Sequence, residues 1–106
     1  MTKTLKLKIA GGFWENAVGL LAWHSGKWQL YQGLLINTRF GIHTFGMTRS
    51  IDLLILDQQD QVVIIKENLK PWHLFFWNPH YSRVIEGATG IIKSKAIKVG
   101  DRVKLA

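Results

Sequence analysis

Residues 41–57 read GIHTFGMTRSIDLLILD, and this stretch decides the fold. Its second part, residues 51–56, is an apolar run that carries a single aspartate. The polar residues 57–60 follow, and residues 62–65 are again apolar. Two apolar runs joined by a short polar loop predict a β-hairpin, so the centre of the chain should be sheet.

The rest of the chain reads as short strands separated by turns. Residues 5–9 alternate apolar and basic side chains, which is typical of a strand with one buried face. Residues 13–24 have the spacing of a short amphipathic helix, and residues 91–96 favour one or two helical turns. Strand character returns at residues 81–86 and 97–105. These patterns predict an α+β, mainly β fold: a small antiparallel curled sheet or barrel-like core with one or two short helices.

Length and composition are those of one globular domain, residues 1–106. The chain has no cysteine, which excludes disulfides, thiolate metal sites and cysteine nucleophiles. Its first residues lack the continuous apolar segment of a secretory signal, and no apolar run approaches the length of a membrane span. We therefore expect a soluble, cytoplasmic protein.

The charge is strongly basic, with 14 Lys and Arg against 7 Asp and Glu and a net charge of +7. This balance favours anionic partners, namely nucleic acid, an acidic protein or an anionic membrane surface. The basic residues are spread over both ends of the chain, however, and a solvated surface that keeps a small domain soluble is the favoured interpretation.

Aromatic side chains crowd residues 71–81, where two prolines bracket the sequence WHLFFWN. The prolines predict a loop or edge strand folded over the sheet. The favoured interpretation is that these rings cover a thin core. An exposed patch would instead indicate contact with a protein or small ligand, or stacking of nucleic-acid bases. The interior of this loop has no lysine or arginine, which weakens the nucleic-acid alternative.

The central stretch also carries the first candidate site, formed by His43, Met47 and Asp52. A carboxylate beside a buried strand needs partners. The favoured interpretation is that Asp52 caps a turn or accepts backbone N–H groups, with His43 hydrogen-bonded in the interior. Alternatively, His43 and Asp52 are the catalytic candidates for an acid–base pair, with Glu86 and Asp101 as the other available carboxylates.

Metal and cofactor sites have little support in the sequence. The four histidines are spread along the chain without the short paired spacing of zinc ligands. A glycine-rich phosphate loop is also missing. We expect no metal and no cofactor.

A series of motifs follows in order along the chain: Ala17–Leu21, Gly33–Leu35, Gly41–Met47, Ile51-Asp52, Leu56-Asp57, Gln61–Val63, Pro71-Trp72, Val84–Glu86 with Gly90, and Val99–Val103. This series resembles the uncharacterised domain-of-unknown-function family number 192, which is widespread in bacteria and archaea. The resemblance implies a small, mostly antiparallel β structure with short helices, and it implies no reaction, substrate or cofactor. Two positions depart from the family's pattern. Ser50 stands where a proline is common. Thr48 stands directly after the methionine, where the family usually has a basic residue, and Arg49 comes one position later. If those positions shape a ligand pocket, it is altered in this chain.

The leading hypothesis is a non-enzymatic binding or accessory module that holds a partner, of unknown identity, in a cleft between the central stretch and the aromatic loop. A small ligand or a protein is the expected partner, and nucleic acid is possible through the positive charge. The alternatives are a small enzyme using the acid–base pair and a nucleic-acid-binding domain. The candidate binding residues are His43, Met47, Arg49, Asp52, Trp72, Trp77 and Glu86.

Overall fold

The structure, a computed structural model, describes residues 1–9, 32–39, 41–45, 47 and 49–105. These residues form nine strands and one short helix, so the mainly β, α+β class is confirmed. The helix expected at residues 13–24 lies outside the described residues. The elements are β1 (Thr2–Leu5), β2 (Leu7–Ile9), β3 (Gly33–Asn37), β4 (Gly41–His43), β5 (Ile51–Leu56), β6 (Val62–Leu69), β7 (Leu74–Phe76), β8 (Arg83–Ala88), α1 (Ile91–Ser94) and β9 (Arg102–Leu105).

The main sheet has five strands in the order β2-β3-β8-β5-β6. The predicted hairpin is confirmed as the antiparallel pair β5 and β6. Strand β5 lies inside the sheet, and all six of its residues are buried. Because successive side chains of a strand point to opposite faces, a strand that is buried throughout is covered on both sides.

Each face of this sheet has its own core. Leu54 and Leu56 pack on one face, in a cluster that includes Leu5 and Val103 from β1 and β9. Ile51, Leu53 and Ile55 pack on the other face with Trp77 and Val84. Burying each such aliphatic side chain contributes roughly 1.5–3 kcal/mol, which makes β5 the structural centre of the molecule.

The start of the chain is divided between two sheets at Lys6. The N–H of Lys6 donates to the side-chain oxygen of Gln32 at 2.8 Å, and the N–H of Gln32 donates to the carbonyl of Lys6 at 2.6 Å. Strand β1 before this residue pairs with β9, and β2 after it pairs with β3, both in parallel. The expectation of an antiparallel sheet is therefore wrong for these two pairs. Alternating hydrophobicity specifies a buried face but not the direction of the partner strand.

The predicted edge strand is confirmed as β7, which pairs with β4 in a separate antiparallel ribbon. Ile42 and Phe75 are opposite each other, and both pack against the second core cluster. Their neighbours along the strands, His43, Leu74 and Phe76, are exposed. The ribbon thus has one apolar face on the core and one apolar face outside. The described strands form three open sheets.

Candidate functional site

Asp52 is a structural carboxylate buried in β5, where it is 2% exposed. One carboxylate oxygen accepts the N–H of Asn68 at 2.9 Å. The other accepts the N–H groups of Gly90 and Ile92, both at 3.1 Å. Gly90 has a φ of 97°, a conformation that favours glycine, and begins helix α1. The prediction that Asp52 accepts backbone N–H groups is confirmed.

His43 lies on the outside of the ribbon, and the prediction that it is hydrogen-bonded in the interior is wrong. Its Nδ1 atom accepts the backbone N–H of Phe45 at 3.3 Å. No hydrogen bond joins His43 to Asp52, whose carboxylate is occupied by backbone donors. The acid–base pair considered from the sequence is therefore not formed. The reason is that alternation along β4 places Ile42, not His43, on the core.

Thr44, which the sequence patterns did not single out, ties two loops together. Its hydroxyl donates to the carbonyl of Lys70 at 2.6 Å and accepts the N–H of His73 at 2.9 Å. Its backbone exchanges two further bonds, from Thr44 N–H to the His73 carbonyl at 2.9 Å and from Trp72 N–H to the Thr44 carbonyl at 3.0 Å. Thr44 is fully buried, so these bonds are shielded from water. A hydroxyl inside an apolar run was the signal that could have revealed it.

These hydrogen bonds hold Trp72 in an unusual backbone conformation. Its φ is +63°, which is uncommon for a residue other than glycine. Such a conformation costs on the order of 1–3 kcal/mol and persists where surrounding contacts fix it. Trp72 is nevertheless 69% exposed, so the turn displays a large ring to solvent.

The outer side chains form one surface, which we call the aromatic surface: His43, Phe45, Trp72, Leu74 and Phe76. The rings of His43 and Phe45 stack with centroids 5.0 Å apart and planes at 28°. Those of Phe45 and Trp72 continue the stack at 5.9 Å and 25°. Leu74 is directly opposite His43 on the ribbon, and Phe76 is opposite Gly41.

Glycine is required at position 41 of this surface. A Cβ atom there would lie 2.6 Å from the Phe76 Cδ1 atom and 2.6 Å from the Phe75 carbonyl oxygen. Both distances are shorter than van der Waals contact. The missing side chain therefore lets the Phe76 ring lie against the neighbouring strand while remaining 66% exposed.

The charged residues of the two segments that build this surface are all basic. Residues 33–51 and 68–85, which contain both strands of the ribbon and its turns, include no Asp or Glu. Arg49 and Lys70 are exposed on the two segments that flank the Trp72 turn. Arg39 donates to the carbonyl of Pro79 at 3.3 Å near the other end of the ribbon. The aromatic surface is therefore a patch of rings in a positive field.

The sequence profile of the DUF192 family, described as Uncharacterized ACR, matches residues 1–105. The chain belongs to this family. It is 35% identical to a UPF0127 protein of Pyrococcus abyssi over 93% of this chain and 85% of that protein. It is 33% identical to a UPF0127 protein of Pyrococcus horikoshii over 93% of this chain and 86% of that protein. Both of these relatives are archaeal.

Two solved structures share the fold. A protein of Sinorhizobium meliloti superposes with a TM-score of 0.75 at 18% identity, covering 91% of this chain and 78% of that chain. A protein of unknown function from Novosphingobium aromaticivorans superposes with a TM-score of 0.70 at 18% identity, covering 89% and 70%.

Three of the other candidate binding residues lie in the core of the protein. Met47 and Trp77 are buried, so the exposed cleft that they were expected to line is not formed as expected. Trp77 packs in the second core cluster, and its indole N–H donates to the Tyr81 carbonyl at 2.8 Å. Glu86 is fully buried in β8, opposite Leu34 and Leu53.

Of the two positions that depart from the family's pattern, Ser50 is half-buried just before β5, and Thr48 lies outside the described residues.

Across the described part of the chain, no three His, Asp or Glu side chains come together as metal ligands. Within the same residues, no helix is long and apolar enough to cross a membrane.

Asp101, the remaining carboxylate considered from the sequence, lies in the turn that leads into β9. Its Oδ2 atom accepts the N–H of Lys98 at 2.9 Å, and its Oδ1 atom lies 3.2 Å from the amino group of Met1. The Lys98 hydrogen bond, followed by the Met1 amino group, lowers the pKa of Asp101 below its usual value of 3.8. Asp101 thus stabilises a turn.

Proposed function

We propose that this chain is a non-enzymatic binding module that holds single-stranded nucleic acid on its aromatic surface. The observation that supports this most directly is the stack of His43, Phe45 and Trp72, which ends in an exposed ring and is built on two segments whose charged residues are all basic. Exposed rings beside positive charge are the features by which proteins hold unpaired bases without reading a sequence.

The rings supply the contact with the bases. Each neighbouring pair of the three rings lies within about 30° of parallel, so a base placed on Trp72 would extend the stack. Phe76, exposed further along the ribbon, offers a second ring. Each base stacked on an aromatic side chain contributes about 1–3 kcal/mol.

The basic residues supply the contact with phosphates. Lys70 lies next to the stack, because its carbonyl oxygen accepts a hydrogen bond from the Thr44 hydroxyl. Arg49 follows Met47, whose N–H donates to the Thr44 carbonyl at 3.2 Å. Arg39 lies near the opposite end of the ribbon. Replacing the counterions of a few phosphates with these side chains makes binding dependent on salt.

Other functions would account for fewer features of the aromatic surface. An enzyme site would need the His43–Asp52 pair, whose hydrogen bond is not made. An acidic protein would use the positive charge, and Leu74 and Phe76 could contact its apolar side chains. Such a protein does not require a stack of three rings, whereas a base would extend it.

The proposal is tested with a fluorescently labelled single-stranded oligonucleotide of about 12 nucleotides, a length in the range that comparable surfaces cover. Fluorescence anisotropy would measure its Kd for the wild type, for W72A/F76A and for V99A. Val99 is 62% exposed in the turn before β9, so V99A is a matched control for the loss of an exposed apolar side chain. We expect W72A/F76A to weaken binding at least about tenfold, as the loss of two stacked rings implies, and V99A to leave it unchanged.

Salt and competitors distinguish the alternatives. Wild-type affinity should fall as salt rises from about 50 to 200 mM, since phosphate contacts release counterions. Equal affinity for the wild type and W72A/F76A would contradict the proposal, because charge alone would then explain the binding. Binding to anionic vesicles but not to the oligonucleotide would also contradict it.

A further inference from the structure

A cleft separate from the aromatic surface lies between β9 and one end of the five-stranded sheet. Its volume is about 490 Å³, within the range of sites that hold small molecules. It is on the sheet face that carries the first core cluster, whereas the aromatic ribbon packs on the second. A ligand in this cleft would therefore not compete with one on the aromatic surface.

The floor of the cleft is aliphatic. It is formed by side chains from five strands, all of which belong to the first core cluster: Leu7, Leu35, Leu56, Ile85 and Val103. These side chains are only 2–9% exposed, so the floor offers an apolar body a narrow apolar surface without hydrogen-bond partners. It fits a hydrocarbon or aromatic portion of a ligand.

The rim of the cleft is basic. Arg83, Arg102 and Lys104 line it, and Asp60 is the one acidic residue among its lining residues. The Asp60 carboxylate is committed to Arg83, with Oδ1 2.6 Å from Nε. Among the described residues, no carboxylate pairs with Arg102 or Lys104, and both are exposed. Two free cations thus remain beside the aliphatic floor.

We propose that this cleft binds small amphiphilic anions, in which an apolar body carries one carboxylate or phosphate. The apolar body lies on the aliphatic floor, and the anionic group lies between Arg102 and Lys104. The site uses residues from the two ends of the chain and the hairpin turn, namely Thr2, Gln59 and the β9 residues. It is independent of the proposed nucleic-acid surface.

The test uses phenylbutyrate as the probe and the isotope-labelled full chain, with binding followed by amide chemical shifts. The variant R102Q/K104Q removes the two rim cations that have no carboxylate partner among the described residues, and K93Q/K95Q removes the same charge from two exposed lysines in and after α1. The neutral analogue phenylbutanol tests the need for the anionic group. Arg83 is left intact because its pair with Asp60 holds the hairpin turn.

We expect saturable shifts at the amides of Arg83, Arg102 and Lys104 in the wild type. R102Q/K104Q should bind phenylbutyrate about three- to tenfold more weakly, as two exposed ion pairs imply, while K93Q/K95Q binds as the wild type does. Phenylbutanol should bind more weakly than phenylbutyrate. Equal affinity for both compounds, equal weakening in both variants, or shifts confined to the aromatic surface would overturn the proposal.

Discussion

At the scale of single residues, Asp52 is a buried polar side chain with a clear structural role. Its carboxylate joins three segments: the strand in which it lies, the end of β6 at Asn68, and the start of α1 at Gly90 and Ile92. Hydrogen bonds to a charged acceptor are about twice as strong as neutral ones. Asp52 therefore holds the helix and the edge strand against the centre of the sheet.

We predict that D52N destabilises the protein by about 2–4 kcal/mol, because an amide replaces one acceptor oxygen and leaves buried N–H groups without a partner. The urea concentration at the midpoint of unfolding measures this. D57N is the matched control: Asp57 Oδ1 accepts the N–H groups of Gln59 and Gln61, both at 2.9 Å, in an exposed turn. Asparagine serves equally well there, so we expect a loss below about 1 kcal/mol. Equal losses in the two variants would contradict the role given to Asp52.

Asp101 makes the stability of the folded protein depend on pH. Its pKa is lowered in the folded state, so the unfolded chain takes up the proton first as the pH falls. The stabilisation by this carboxylate is present above the ordinary pKa of 3.8 and is lost as the pH falls through the lower folded value.

We predict that the wild type is more stable than D101N at neutral pH and that the difference shrinks below about pH 4. Urea unfolding of both proteins between about pH 3 and 7 measures it. A difference that stays constant down to the acid end of this range would show that the charge on Asp101 contributes nothing.

At the scale of elements, the β4–β7 ribbon depends on Thr44. The Thr44 hydroxyl bonds to Lys70 and His73, on either side of the strained residue Trp72. A buried hydroxyl thus fixes the backbone of the Trp72 turn, and the exposed indole stacks on Phe45.

We predict that T44V loses about 1–3 kcal/mol of stability, because valine keeps the volume and leaves the Lys70 carbonyl and His73 N–H unpaired. Hydrogen exchange at the amides of Trp72 and His73 should speed up, while exchange in β5 and β8 should change little. T38V is the control, since the Thr38 hydroxyl makes a single contact, at 3.5 Å and at the surface. Unchanged exchange at Trp72 in T44V would contradict the role of Thr44.

Sequence patterns predicted the elements whose signals are local. The β5–β6 hairpin follows from two apolar runs and a polar turn, and the edge strand β7 follows from its flanking prolines. The parallel pairing of β1 with β9 could not be predicted, because the partners are about 100 residues apart and alternation carries no direction. In the candidate site, burial predicted the backbone partners of Asp52. The exposure of His43 and the role of Thr44 depended on the register of a three-residue strand, which sequence does not fix.

At the scale of the whole molecule, the two faces of the central sheet carry two different surfaces. One face supports the aromatic ribbon, and the other supports the basic cleft under β9. The net charge of +7 attracts anions to the molecule in general. Positive charge by itself therefore does not define a binding site for nucleic acid. The proposed function requires that stacking on the rings of the aromatic surface determines where the nucleic acid would bind.

The most direct measurement is a map of amide and indole chemical shifts during titration with a single-stranded oligonucleotide. The two tryptophans of the ribbon region provide an internal control, because Trp72 is exposed whereas the Trp77 indole N–H is bonded to Tyr81. We predict that the largest shifts fall on residues 41–45 and 70–76 and on the Trp72 indole, while the Trp77 indole changes little. Shifts centred on Arg102 and Lys104, or spread evenly over the basic residues, would contradict the proposal that the aromatic surface binds nucleic acid.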